Sequence, residues 1–331
     1  MSRLLVVKDG LHITLPRFNE TNVETIFNID ESNNIVQMFT FDSQILVNPT
    51  DLANVLSRAI PKEIDKGFLF YSFRYQISFM HNLMQTVPLL EEYLEKYKEY
   101  KLLVPAHHYS ELYKDIFKLL DIQEDSIFLL EDNTIYTVKS MADRKKWIGD
   151  AFVITEAAVK ILNSIRRALS ITQNIHPKRR IYLQRDGTPN KLFGNDETGV
   201  IRRILNEDEL IRNLTCRGFE IVKLGDKYLH QKNELLSNAA IVITQLGANC
   251  MNLMFTNLPS HVLFLGNSSA IGENTFVNLL RILNNSTVSY KTLLDSDDTT
   301  HVDRKNKWNC AFSVDIPRLT NYVDNYLSAS S

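Results

Sequence analysis

Two arginines stand where a strand or a helix boundary would offer them to an anion. Arg185 closes the run Arg180-Ile181-Tyr182-Leu183-Gln184-Arg185, and Arg203 lies just before the run Asn206-Glu207-Asp208-Glu209-Leu210. A guanidinium at either place can clamp phosphate oxygens through paired N–H donors without a metal; it can equally be a solvated charge capping a helix. Further along, Gln245-Leu246-Gly247-Ala248-Asn249 joins an apolar run to a helical one. A small-residue loop there lets backbone N–H groups approach a ligand, and the next helix turns its positive end to the same point. That is the chemistry of an anion or diphosphate seat, although Gly247 also suits an ordinary strand-to-helix turn. His81 lies among apolar residues of helical spacing. An imidazole of ordinary pKa near 6.5 can take a proton from a hydroxyl at neutral pH; it can also be a satisfied core histidine. His107 and His108 follow a strand and read first as a solvated pair. Asp295 and Asp297 come after Thr292-Leu293-Leu294. A strand ending in Asp-x-Asp can hold a divalent cation against a diphosphate, and the charges that follow also fit a solvated acidic turn.

The elements that must position these residues read most clearly in the second half. Residues 180–185, 219–224, 239–244 and 261–265 are strand-like. Helical runs fall after Asn206, at 231–238 and at 250–257, and a last amphipathic helix opens at Asp315 and Pro317 and reaches about 328. Asn206 with Glu209 three residues later has the form of a capping box, and Gly218 marks the end of that helix. In the first half, 68–73, 101–105 and 126–130 read as strands, and 77–98, 109–119 and 155–171 as helices. Residues 1–60 give only short β-like runs such as 35–41 between Asn/Asp-rich turns. Strand–helix alternation in both halves implies an α/β protein with parallel sheets covered on both faces, and 174–178 reads as a linker.

At 331 residues the chain is long enough for two domains. With 37 Lys and Arg against 39 Asp and Glu, the net charge of −2 argues against a nucleic-acid binder. The 44% hydrophobic content excludes a mainly disordered chain. Cys216, Cys250 and Cys310 are few and widely spaced, so neither a disulfide scaffold nor a zinc knuckle is indicated. No stretch reaches the ~20 apolar residues of a transmembrane helix, and no signal peptide is read at the start. A cytoplasmic protein is therefore expected.

Taken in order and spacing, residues 178–266 resemble glycosyltransferase family 61. The matching positions are Arg185, the run Arg203–Leu210 with its Asn-Glu-Asp-Glu-Leu, Gly218-Phe219-Glu220-Ile221-Val222, Gln231, Leu235, Gly247-Ala248 and Asn252. The segment 78–90 is similar to the family's aromatic-x-His-Trp-x-x-Asp-x-x-Pro-x-Leu pattern. It keeps His81 and Pro88, with Asn82 in place of Trp and Gln85 in place of the carboxylate; Leu246 stands where the family usually has histidine.

The resemblance implies a GT-B-like fold, two Rossmann-like domains facing a central cleft. Residues 1–173 would bind the acceptor, 174–314 the nucleotide-sugar, and the helix 315–331 would pack back toward the first domain. It implies an inverting transferase moving a sugar from a nucleotide-sugar, expected to be a UDP-sugar, to a glycan or glycoconjugate by direct displacement. Glycan or polysaccharide assembly would be its setting, and no essential metal or other cofactor is expected. His81 would be the base. Arg185, Arg203, Gln231, Gly247, Ala248, Asn249 and Asn252 would bind the donor. Two alternatives stand beside this reading: a metal-dependent transferase using Asp295 and Asp297, and an inactive relative binding a glycan or protein partner, motivated by Gln85 and Leu246.

Overall fold

Short runs separated by Asn, Asp and Gly favour hairpins over crossovers, and the first strands pair as antiparallel ladders: β1 (Ser2–Val7), β2 (His12–Leu15), β3 (Phe18–Thr21), β4 (Thr25–Ile29), β5 (Ile35–Met38) and β6 (Leu46–Val47). The computed structural model of the chain describes residues 2–7, 12–15, 18–21, 25–29, 35–38, 46–47, 49–71, 82–106, 109–143, 154–169, 178–185, 204–225, 227–236, 239–255, 261–267, 273–284, 289–295 and 312–330. The chain divides into two compact units, Met1–Ile165 and Arg166–Ser331. The expected linker at 174–177 lies outside the described residues, as do His81, His107, His108, Arg203 and Asp297.

In the first unit β7 (Ile60–Leu69), β8 (Lys101–Pro105), β9 (Ile127–Leu130) and β10 (Thr134–Met141) are mutually parallel. With β1, β4 and β5 they form a sheet of order β5-β4-β1-β10-β7-β8-β9. The all-parallel sheet expected here is thus corrected to a mixed one, because β1 pairs antiparallel with both β10 and β4. On one face Leu4, Ile64, Leu69, Leu103, Leu130, Tyr136 and Val138 pack together. Toward the helices Leu89–Lys96 and Glu111–Leu119, Phe68 meets Tyr93 at 5.4 Å between ring centroids and Phe70 meets Phe117 at 5.3 Å. Strand β7 starts well before the expected residue 68 and ends at Leu69. Its first half is polar because Lys62 pairs with Glu131 of the β9–β10 turn and Asp65 with Lys139 of β10. The expected helix 77–98 is interrupted: Asn82–Thr86 form a π turn before Leu89–Lys96.

The second unit is the parallel sheet expected from its apolar runs. Strands β11 (Arg179–Leu183), β12 (Glu220–Val222), β13 (Ala239–Gln245), β14 (His261–Asn267) and β15 (Ser289–Asp295) lie in the order β12-β11-β13-β14-β15, all parallel. One face carries Tyr182, Ile241, Ile243, Leu263 and Leu265 under the helices Glu207–Thr215 and Ile316–Ser330. On the sheet's other side, the segment Ala248–Phe255 packs against the helices Leu229–Leu236 and Glu273–Asn284. The helix Glu207–Thr215 ends as expected near Gly218, whose φ of 75° is in the left-handed region.

One local expectation is corrected. Asn206 makes no side-chain cap; its amide instead exchanges two 2.8 Å bonds with the backbone of Val314, beside a parallel bridge between Ile204 and Phe312. The last helix puts Leu319 and Val323 into the second unit's core. Asp315 caps it, its carboxylate accepting from Arg318 N–H at 3.0 Å. Among the described residues no helix is long and apolar enough to cross a membrane.

Candidate functional site

A doubly wound parallel sheet opens a crevice where successive crossovers leave for opposite faces, beyond the carboxyl ends of the two strands flanking the reversal. In the second unit the chain goes from β11 to β12, then back past β11 to β13, and onward through β14 to β15. The reversal falls between β11 and β13. Their carboxyl ends are in register, Leu183 opposite Thr244, so Gln184 and Arg185 on one side and Leu246–Asn249 on the other are brought to the same edge.

Gly247 has φ 141°, a conformation that penalises any side chain, and it is buried. The turn is closed by Leu246 N–H donating to Leu265 O at 2.7 Å and Cys250 N–H to Gly247 O at 3.0 Å. The segment that follows, Ala248–Phe255, is a 3₁₀ helix and not the α-helix expected at 250–257. The first amide groups of any helical run lack an intrahelical acceptor and point out of its start, which keeps the anion-binding logic of the loop. Asn252 donates its amide to both the backbone and side-chain oxygens of Asn249, at 3.0 and 3.1 Å, and Asn249 donates to Gln184 O at 3.5 Å. This relay reaches across the reversal and ties the two loops together.

Arg185 sits just past β11, as expected. Burial pulls its guanidinium below the ordinary arginine value, with the neighbouring Cys250 acting in the opposite sense. It remains a cation at any physiological pH, in a less polar setting where attraction to an anion is stronger than in water. Gln231 is exposed in the first turn of the helix Leu229–Leu236, and its side-chain oxygen accepts from Tyr228 N–H at 3.1 Å. Asp295 ends β15 at the same edge of the sheet, opposite Asn267 of β14.

Two residues here escaped sequence reading. Lys232 is only 7% exposed, on the helix face it shares with buried Leu229 and Leu236. A lysine at core spacing in an otherwise apolar stripe was the available signal. Tyr228, just before that helix, is the other.

In the first unit the chain advances from β7 through β8 to β9 and then returns to the far side of β7 as β10. The reversal lies between β7 and β10, where Ala142 N–H donates to Gly67 O at 2.9 Å. The π turn Asn82–Thr86, immediately after His81, follows from the carboxyl end of β7. Asn82, Gln85 and Thr86 are all buried. Tyr113 donates its hydroxyl to Asn82 Oδ1, and burial pushes the Tyr113 phenol up. The residue that replaces the expected Trp is therefore a built-in hydrogen-bond acceptor. Single π turns in helical segments often accompany functional sites.

The family model described as Glycosyltransferase 61 matches residues 79–263, more than half of the chain, and takes in the π turn, Arg185 and the Gly247 loop. No curated protein matches the chain.

Proposed function

Because the chain belongs to the glycosyltransferase 61 family, we propose that it is an inverting, metal-independent transferase of GT-B type, using a UDP-sugar donor and a glycan or glycoconjugate acceptor. The second unit binds the donor and the first the acceptor. The observation that carries the donor half is the Gly247 loop beside Arg185 at the β11/β13 reversal, strapped by Asn252 and Asn249. The diphosphate lies over the start of the 3₁₀ segment, held by the amides of Ala248 and Asn249 and by Arg185 and Arg203. His81 takes the proton of the acceptor hydroxyl. The acceptor oxygen attacks the anomeric carbon from the face opposite the diphosphate, and the bond from that carbon to the diphosphate oxygen breaks. The arginines and the loop amides stabilise the charge that develops on the leaving group, fixed dipoles needing no rearrangement as it forms.

A second reading, a relative that binds without turning over, draws on Leu246. It is 6% exposed and carries no titratable group where the family usually has histidine.

Thermal unfolding with a panel of sugar nucleotides tests the donor site. A ligand at 100 times its Kd stabilises by about 2.7 kcal/mol, so UDP or a UDP-sugar should raise Tm clearly. Arg185→Ala should weaken that binding by about 1.5–3 kcal/mol, the range for a hydrogen bond to a charged group. A panel that leaves Tm unmoved at millimolar concentration would overturn the donor reading. Binding without transfer to any acceptor would favour the inactive relative.

A further inference from the structure

The loop from β12 into the helix Leu229–Leu236 holds an aromatic pair at the same edge of the sheet as the Gly247 loop. Tyr228 and His230 stack with ring centroids 5.9 Å apart and planes at 11°. Among the described residues the large hydrophobic side chains left exposed are Ile60, Leu129, Ile282 and Tyr228, so Tyr228 is the one aromatic in that group, at 40% exposure. Its backbone is pinned at both ends: the N–H donates to Gln231 Oε1 at 3.1 Å, and the carbonyl accepts from Lys232 N–H at 2.9 Å. Lys223 and Lys227 of the same loop are exposed.

We propose that Tyr228, backed by His230, is the stacking platform for the nucleobase of the donor nucleotide. This rests on the donor-site reading above and extends it. The Gly247 loop leaves β13, and the Tyr228 loop leaves β12, with β11 between them. Two strand spacings amount to about 10 Å, the order of the reach from a nucleotide's phosphates to its base. A nucleotide with its diphosphate at Gly247 and Arg185 therefore lays its nucleoside over the carboxyl end of β11 and brings its base to Tyr228. Stacking on a tyrosine face accepts any base, so the platform supplies affinity and leaves base identity to other contacts.

Calorimetric titration of the intact chain with UDP and, separately, with inorganic pyrophosphate tests this. Tyr228→Ala should weaken UDP roughly 5- to 150-fold, the loss expected for one base–aromatic stack, and leave pyrophosphate affinity and Tm unchanged. Tyr228→Phe should retain UDP affinity. Tyr228→Leu, which keeps apolar area without a π face, should behave like the alanine variant. UDP affinity unchanged in Tyr228→Ala would overturn the platform while leaving the donor site standing. Equal losses for UDP and pyrophosphate would also overturn it, since the loop would then be acting on the diphosphate. If wild-type protein binds neither UDP nor GDP, ADP or CDP, the donor reading fails and the platform with it.

Discussion

At Asn252 the amide nitrogen is held twice by Asn249, while the oxygen is buried and meets no donor among the described residues. Turning the amide over would set its oxygen against two acceptors, so the network itself fixes the orientation. A buried acceptor left alone costs about 1–3 kcal/mol. It sits in the strap across the β11/β13 reversal, where in the proposed donor site rigidity of the loop would serve the ligand. His81 is the other residue on which the proposed mechanism turns. If it is the base, His81→Ala lowers kcat by about 10²–10⁴, with Tm and nucleotide binding nearly unchanged. His81→Asn does the same, because an amide cannot take the proton. Single-turnover rates measured beside Tm decide the matter. A variant that loses stability and activity together would return His81 to the core, and a stable one with near wild-type turnover would remove it from the mechanism.

Among the elements, the β13 turn is the most constrained. Gly247→Ala forces a side chain into φ 141°, a strain of about 1–3 kcal/mol; it should lower Tm and weaken UDP binding together, read by thermal unfolding and titration. If neither moves, the loop tolerates a side chain and its glycine does not serve the diphosphate. The legibility of the elements follows their burial. Strands β11, β13 and β14 are covered on both faces, so they read as continuous apolar runs. The start of β7 and all of β10 did not, because their exposed positions carry charges that pair across the sheet, Lys139 with Asp65 and with Glu63. The helix Pro49–Arg58 was likewise unread within a polar stretch. Arg185, Gly247 and Asn249 were legible as candidates because they follow apolar strand-like runs, and Asn252 through the family resemblance. Tyr228 and Lys232 were not, since helix phase decides which of them is exposed and which buried. The capping role assigned to Asn206 failed because a partner distant in sequence, Val314, competes for the same side chain.

For the whole molecule, the expectation that separates the enzyme readings is metal dependence. Activity should be fully retained in EDTA if, as proposed, arginines and backbone amides do the work of a cation; loss with rescue by Mn²⁺ would move the chemistry to Asp295 and Asp297. The final helix bears on the molecule in another way. Arg217 and Asp324 form a two-pronged pair at 2.8 and 2.9 Å, Tyr322 bonds His261 at 3.0 Å, and Leu319 and Val323 complete the second unit's core. A ribosome makes the chain from the other end, at about 5–20 residues per second. The first unit has all its strands as soon as β10 emerges. The second must wait with Ile241, Ile243, Leu263 and Leu265 covered on one face by the helix Glu207–Thr215 but not yet by the final helix, until the residues through Val323 are out. Its exposure to aggregation during synthesis is thus governed by the helix Ile316–Ser330, and a stop between β15 and that helix leaves a finished first unit attached to a sheet whose apolar face is only partly covered.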